Sequence, residues 1–173
     1  MRLGIPNNCV ALQIALPKYT GKALEIFIRL SMLSKLFIAF CLMAICVTIH
    51  AMGLVAAVHW MKQQSTTIAQ HFWASTGMLI CIAGWTVLLH LLQIVSWGLF
   101  YAWKHGMPDL QSAFYFSAVT YTTTGYGDLV LPKQWRIVGG VEALTGILMC
   151  GLSTGLFFAV FLKVFGLDRG SPP

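Results

Sequence analysis

The chain has 173 residues, of which 58% are hydrophobic and 9% are charged, and its mean hydropathy is +0.77. This composition excludes a water-soluble enzyme and is typical of a membrane protein. The net charge of +6 does not indicate nucleic-acid binding, because the basic residues stand singly at the ends of apolar segments and form no single patch.

Three segments are apolar and long enough to cross a bilayer. Residues 36–61 and 73–103 contain no Asp, Glu, Lys or Arg, and residues 137–162 contain only Glu142. At about 1.5 Å per residue, each segment would form a helix longer than the hydrocarbon core of roughly 30 Å. The sequence therefore predicts an all-α membrane protein with three transmembrane helices, a multi-pass protein of the plasma membrane or the bacterial inner membrane.

The ends of the chain are less clearly patterned. Residues 1–35 are interpreted either as an N-terminal tail without fixed structure or as an amphipathic helix at the membrane interface, because basic residues alternate there with apolar ones. Both interpretations remain open at this point. Residues 62–72 are predicted to form a loop and residues 166–173 a C-terminal tail.

The region between the second and third spans, residues 104–136, is too polar and too rich in Gly and Pro to cross the membrane, but residues 110–122 within it are apolar. This pattern favours a short re-entrant helix, which is tolerated at membrane depth where protein or a water-filled path surrounds it. Pro108 suits a first helical position, and Asp109 in the first turn would meet the positive end of the helix dipole. The helix is predicted over residues 109–122.

A specific motif follows this helix: residues 122–128 read Thr-Thr-Thr-Gly-Tyr-Gly-Asp. The motif resembles the selectivity filter of tetrameric potassium channels, in which four copies of Thr-Val-Gly-Tyr-Gly line one pathway. The resemblance covers about residues 73–165 and implies a homotetramer, with the loop at residues 62–72 in the cytoplasm. Its predicted parts are an additional N-terminal span (36–61), an outer helix (73–103), a pore helix (109–122), an extended filter (123–128) and an inner helix (136–165).

The residue types of the motif suit the coordination of a dehydrated cation. Potassium needs oxygen ligands in place of its water, and the resemblance assigns them to backbone carbonyls of the filter. Gly125 and Gly127 can adopt positive φ without a Cβ clash. Thr124 stands where the family most often has Val, a similar β-branched shape. The expected K⁺-binding filter residues are Thr123, Thr124, Gly125, Tyr126 and Gly127, with the ion held at the first four.

Two residues are expected to support the filter. Asp128 stands just beyond its outer mouth in the resemblance, and Val119 replaces a pore-helix Glu that pairs with this Asp in some family members. Tyr115 is placed to supply a substitute hydroxyl. The Tyr126 ring is expected to point outward and to hold the diameter of the filter by packing against its neighbours.

The third span contains further candidates. Gly146 stands at the position of the inner-helix hinge glycine in many such channels, although close helix packing explains it equally well. By the same correspondence, Ile147, Cys150 and Thr154 would line the central cavity, at spacings that place them on one helical face.

The three apolar spans contain few polar residues, and these residues need hydrogen-bond partners. Glu142 is the one formal charge inside a span, and we expect it to form a hydrogen bond with Gln93, with Tyr121 as an alternative donor. His50 and His90 stand near the middle of their spans and are expected to meet as satisfied core histidines and not as a metal site.

The leading functional hypothesis is a passive potassium-selective channel that needs K⁺ as permeant ion, membrane lipid and three identical subunits, and no cofactor. The alternative is a regulatory or transporter-associated potassium pore subunit that is active only with a partner. An intramembrane enzyme is not expected, because no nucleophile with a positioned base accompanies Glu142, His50 and His90.

Overall fold

The computed structural model describes residues 17–63 and 72–165, which form four helices and, within these residues, no strand. The predicted tails and the cytoplasmic loop therefore lie partly or wholly outside the described residues. The helices are α1 (Pro17–Gln63), α2 (Phe72–Trp103), α3 (Leu110–Tyr121) and α4 (Arg136–Val164).

Three of these helices are long and apolar enough to cross a membrane among the residues that the structure describes: Ile28–Gln63, Phe72–Trp103 and Arg136–Val164. The short helix α3 lies between the last two in the chain. The all-α fold with three spans and a short additional helix is thus confirmed, and the chain is a multi-pass membrane protein.

Helix α1 is longer than the sequence predicts, since its 47 residues run without a break across residues 35 and 36. The predicted division between an interfacial helix and a span is therefore not a helix end. The reason is local, because no Pro or Gly interrupts residues 22–52. The chain divides into two units, Met1–Ile38 and Ala39–Pro173, and the packing described below lies within the second.

Helix packing in the second unit depends on small residues. An added Cβ on Gly53 of α1 would collide with the Leu89 side chain of α2, and one on Gly98 of α2 would collide with the Phe114 ring of α3. Small residues let membrane helices approach closely in this way. A buried apolar cluster joins α1, α2 and α4: Ala57, Met61, Met78, Ile82, Val160 and Val164.

The N-terminus of α3 differs from the prediction in one respect. Asp109 is the N-cap residue and not a first-turn residue, so Pro108 precedes the cap and does not occupy the first helical position. The Asp109 carboxylate accepts hydrogen bonds from the backbone N–H and the hydroxyl of Ser112, both at 2.8 Å. The backbone bond from Ser112 is the main reason why the pKa of Asp109 lies below its ordinary value.

Candidate functional site

The segment after α3 has a backbone in which the sign of φ alternates. Thr123, Gly125 and Gly127 have φ of 59°, 54° and 78°, whereas Thr124 and Tyr126 are not among the positive-φ residues of the described chain. A left-handed conformation is open to Gly but is strained for a β-branched residue. The two glycines were predicted to allow positive φ; the left-handed Thr123 was not predicted.

Two N–H groups of this segment donate to carbonyls of α3. Thr123 N–H donates to Thr120 O at 2.9 Å, and Gly125 N–H donates to Val119 O at 3.0 Å. Among the described residues, no carbonyl of residues 123–127 accepts a backbone hydrogen bond. Two N–H groups of the segment are therefore held by the helix, and its backbone carbonyls are left for another ligand.

The threonine side chains strengthen this attachment. Thr122 Oγ1 donates to Ala118 O at 2.7 Å, so the Thr124 hydroxyl at 2.9 Å from Thr122 Oγ1 is the donor of that contact. The Thr124 side chain thus lies against the C-terminal end of α3. A β-branched side chain fits this position, and its hydroxyl has a partner.

The outer end of the segment is held by the hydrogen bond that the sequence suggested. Tyr115 Oη donates to Asp128 Oδ2 at 2.8 Å, and both side chains are exposed within the single chain. This hydrogen bond is the main reason why the pKa of Tyr115 lies above its ordinary value of 10.0.

The buried carboxyl behind α3 has partners other than the predicted one. Tyr101 Oη donates to Glu142 Oε2 at 2.6 Å, and Ser117 Oγ lies 2.6 Å from Glu142 Oε1. The expected Glu142–Gln93 hydrogen bond is not formed, and neither is the alternative with Tyr121. Gln93 lies eight residues before Tyr101 in α2, roughly 12 Å away along the helix axis, and Glu142 lies at the level of Tyr101.

We name Tyr101, Ser117 and Glu142 the carboxyl cluster; its three members have no solvent exposure. Ser117 Oγ also lies 2.8 Å from Ile94 O, and its single hydrogen serves one of its two neighbours. All three oxygen–oxygen contacts are satisfied when the carboxyl is neutral and supplies the third hydrogen. The cluster joins α2, α3 and α4.

A second buried polar group lies closer to the filter end of α3. Gln93 contacts His50 Nδ1 at 2.8 Å and accepts a hydrogen bond from Tyr121 Oη at 2.8 Å. The rings of His50 and His90 meet as expected, with centroids 5.0 Å apart. Within residues 17–63 and 72–165, no group of three His, Cys, Asp or Glu residues could hold a metal ion.

The inner-helix candidates fall into two groups. An added Cβ on Gly146 would collide with the backbone carbonyl of Tyr121, so this glycine lets α4 pass the end of α3. Ile147, Cys150 and Thr154 are exposed on α4 within the single chain. Their surface is therefore free to face other subunits or a water-filled space.

The sequence contains little that would identify the missed residues. Tyr101, Ser117 and Ser153 are ordinary polar residues within apolar segments, and their partners are distant in the chain. One signal is available for such residues, namely a hydroxyl on a helix face that also carries large apolar residues. Such a hydroxyl is expected to be buried, and a buried hydroxyl needs a hydrogen-bond partner.

Comparisons with known proteins identify the family of the chain. A family model described as "Ion channel" matches residues 56–163, more than half of the chain. The chain belongs to this ion-channel family. The match includes α2, α3, the filter segment and most of α4, and it extends into the last turns of α1.

Two curated relatives are similar over a shorter region. The potassium voltage-gated channel protein Shal of Drosophila melanogaster is 36% identical over 73 residues, which is 39% of this chain and 13% of the relative. The potassium voltage-gated channel protein shk-1 of Caenorhabditis elegans is 36% identical over 76 residues, which is 40% of this chain and 14% of the relative. The matched region is thus only a small part of the length of these relatives. No solved structure matches the chain.

Proposed function

We propose that four copies of this chain form a potassium-selective channel and that residues 123–127 are its selectivity filter. The observation that carries this proposal is the alternating φ of the segment together with its unpaired backbone carbonyls. A φ that alternates in sign from residue to residue can turn successive carbonyl groups toward one side of the chain. Both curated relatives are potassium channels by name, which supports the same choice of ion.

In the proposed mechanism, carbonyls of Thr123, Thr124, Gly125 and Tyr126 replace the hydration shell of the ion. Each chain supplies one oxygen at each level, so four chains complete a ring. A K⁺ ion then exchanges its water ligands for carbonyl oxygens. Repulsion between ions at adjacent sites keeps their binding weak enough for passage. The C-terminal end of α3, which is the negative end of its helix dipole, points toward the same axis and stabilises a cation there.

The exposed surface of the single chain supports an assembly around the filter. Two large side chains of the region matched by the family model are exposed in the single chain, Tyr126 at 71% and Ile147 at 55%. Lipid covers apolar side chains but offers no partner to unpaired carbonyls within the membrane. Symmetry-related copies around a water-filled pore meet both needs. In this arrangement Cys150 and Thr154 line the cavity below the filter.

The proposal is tested with purified protein in liposomes. We expect K⁺ flux that exceeds Na⁺ flux by about 100-fold or more, and block by Ba²⁺. Gly125→Ala should abolish the flux, because a left-handed Ala costs about 1–2 kcal/mol in each subunit. Gly84→Ala is the matched control, since Gly84 is helical and an added Cβ meets nothing within 4 Å.

The possible results separate the hypotheses. Equal K⁺ and Na⁺ flux would contradict potassium selectivity. An assembled tetramer without flux would favour the regulatory subunit that needs a partner. Thiol reagents that modify Cys150 from the cytoplasmic side should block the current; modification without block would contradict a position in the cavity.

A further inference from the structure

Five side chains from all four helices form one closed hydrogen-bonded ring beside the filter. Three of them are fully or almost fully buried, with exposures of 0% for His50, 0% for Gln93 and 1% for Tyr121. We name these residues the polar ring: His50 of α1, His90 and Gln93 of α2, Tyr121 of α3 and Ser153 of α4. Its contacts are Gln93 Nε2 to His50 Nδ1 (2.8 Å), His50 Nε2 to Ser153 Oγ (2.9 Å), Ser153 Oγ to His90 Nε2 (3.1 Å), His90 Nδ1 to Tyr121 Oη (2.9 Å) and Tyr121 Oη to Gln93 Oε1 (2.8 Å).

The hydrogens of the polar ring follow one direction around it. Gln93 donates to His50 Nδ1, so a neutral His50 carries its proton on Nε2 and donates to Ser153. Ser153 then donates to His90 Nε2, and His90 donates from Nδ1 to Tyr121. Tyr121 completes the circle by donating to the Gln93 carbonyl. Each of the five contacts receives one hydrogen, and the second N–H of Gln93 donates outside the ring, to Leu89 O at 3.3 Å.

The position of Tyr121 connects the polar ring to the filter. Tyr121 is the last residue of α3 and stands two residues before Thr123, the first left-handed residue. Its hydroxyl is held by the ring, and its backbone carbonyl contacts Gly146. The end of α3 is therefore held at two points, by the contact with Gly146 and by the polar ring. Of these two, the polar ring is the one that includes a residue of α1.

We infer that the polar ring makes His50 and Ser153 positioning residues for the filter, so that the additional span α1 helps to hold the end of α3 in its conducting geometry. This inference rests on the proposed function for its effect on ions, although the positioning itself is a property of the fold. Neither residue touches the ion. Both act through Tyr121 and the strained backbone that follows it.

The number of hydrogens in the polar ring also makes its hydrogen bonding sensitive to pH. Protonation of either histidine brings a sixth hydrogen to five contacts, so one hydrogen can no longer be paired within the ring. The titratable group that faces His50 is His90, with ring centroids 5.0 Å apart, and Tyr121 faces His90 at 5.8 Å. Three further titratable groups lie near Tyr121: Cys46 of α1, and Cys150 and Glu142 of α4. These do not contribute a hydrogen bond to the ring, so the count is unchanged by them.

The test uses four variants of the full chain in liposomes. Ser153→Ala removes the hydroxyl that joins both histidines, and Ser153→Thr keeps it. His50→Leu removes the α1 member at similar volume. Trp85→Phe is the matched control, because it removes a different α1–α2 hydrogen bond, from Trp85 Nε1 to Gly53 O at 2.9 Å, outside the ring.

We expect Ser153→Ala and His50→Leu to lower K⁺ flux or K⁺ over Na⁺ selectivity by about tenfold at neutral pH, from the loss of buried hydrogen bonds. Ser153→Thr and Trp85→Phe should stay within about twofold of the wild type. Wild-type flux should fall in acid, and the two ring-breaking variants should lose this acid dependence. Equal effects of Ser153→Ala and Trp85→Phe, or unchanged acid dependence in both ring-breaking variants, would overturn the inference.

A second readout does not need conduction. Hydrogen–deuterium exchange of the Thr123 and Gly125 amides should accelerate in Ser153→Ala and not in Ser153→Thr, because these amides are bound to the end of α3. Unchanged exchange in Ser153→Ala would overturn positioning by the ring. Accelerated exchange in a protein whose wild type passes no K⁺ would instead contradict the proposed function and leave the positioning role supported.

Discussion

The two sides of α3 differ sharply in how their polar groups are used. On the filter side, residues 122–128 are exposed within the single chain, three of them have positive φ, and the filter carbonyls accept no backbone hydrogen bond from the described residues. On the opposite side, the carboxyl cluster and the polar ring are mostly buried and every member is paired. In the proposed function, the carbonyls on the filter side bind the ion, and the paired groups on the opposite side hold the filter segment in place.

This contrast explains how a strained segment persists. A non-Gly residue in the left-handed region costs on the order of 1–3 kcal/mol and is retained when its surroundings determine the conformation. Thr123 is such a residue, and its N–H is bound to Thr120 O. In the proposed function, the hydrogen bonds behind α3 keep that acceptor in place and so help to set the geometry of the filter.

The largest effect is expected where the two sides meet, at Gly146. Gly146→Ala places a methyl group against the backbone carbonyl of Tyr121, which cannot rotate away as a side chain could. We expect a loss of about 3 kcal/mol or more per subunit and little assembled protein. Size-exclusion chromatography and thermal melting in detergent measure this loss.

Gly151→Ala is the control on the same helix, because its added Cβ meets nothing within 4 Å. It should assemble and melt like the wild type. A Gly146→Ala protein with normal assembly and melting, altered only in open probability, would contradict the packing role and favour a hinge.

A smaller effect is expected from the carboxyl cluster. Glu142→Leu leaves the buried Tyr101 hydroxyl without its acceptor and leaves Ser117 with Ile94 O alone, at a cost of about 1–3 kcal/mol per subunit. Glu142→Gln should melt close to the wild type, since an amide offers one acceptor to Tyr101 and one donor to Ser117. If Glu142→Gln were as unstable as Glu142→Leu, the neutral-carboxyl arrangement would be wrong.

The smallest effect is expected at the exposed outer end, where Tyr115→Phe removes the hydrogen bond to Asp128. Because this bond raises the pKa of Tyr115 above 10.0, its contribution is complete below that pH and is lost as the pH rises through the raised pKa. Wild-type channels should therefore show an alkaline loss of filter stability that Tyr115→Phe lacks. Flux recordings across this range compare the two, and identical alkaline profiles would exclude the contribution of this bond.

The filter side could be predicted from the sequence because its information is local. Gly125 and Gly127 are the residues that positive φ requires, and the resemblance to potassium channels implied the hydrogen bond between Tyr115 and Asp128. The left-handed Thr123 was missed, since nothing in a threonine favours that conformation and only the bonds to α3 impose it. The long apolar segments located the spans, and the apolar run at residues 110–122 located the short helix.

The buried side could not be predicted to the same extent because its contacts join distant parts of the chain. Glu142 was expected to need a partner, but the choice of Tyr101 and Ser117 over Gln93 depends on how far along α2 each side chain lies. His50 and His90 were expected to meet. The hydroxyl of Ser153 that joins them in the polar ring has no signature in the sequence.

The most direct test of the account is the position of ions in the assembled channel. Crystals grown in Rb⁺ or Tl⁺, which substitute for K⁺, should show anomalous peaks on a fourfold axis, each surrounded by carbonyl oxygens of residues 123–126 from four chains. An assembly in which residues 122–128 lie away from the symmetry axis, or in which no ion lies among these carbonyls, would contradict it.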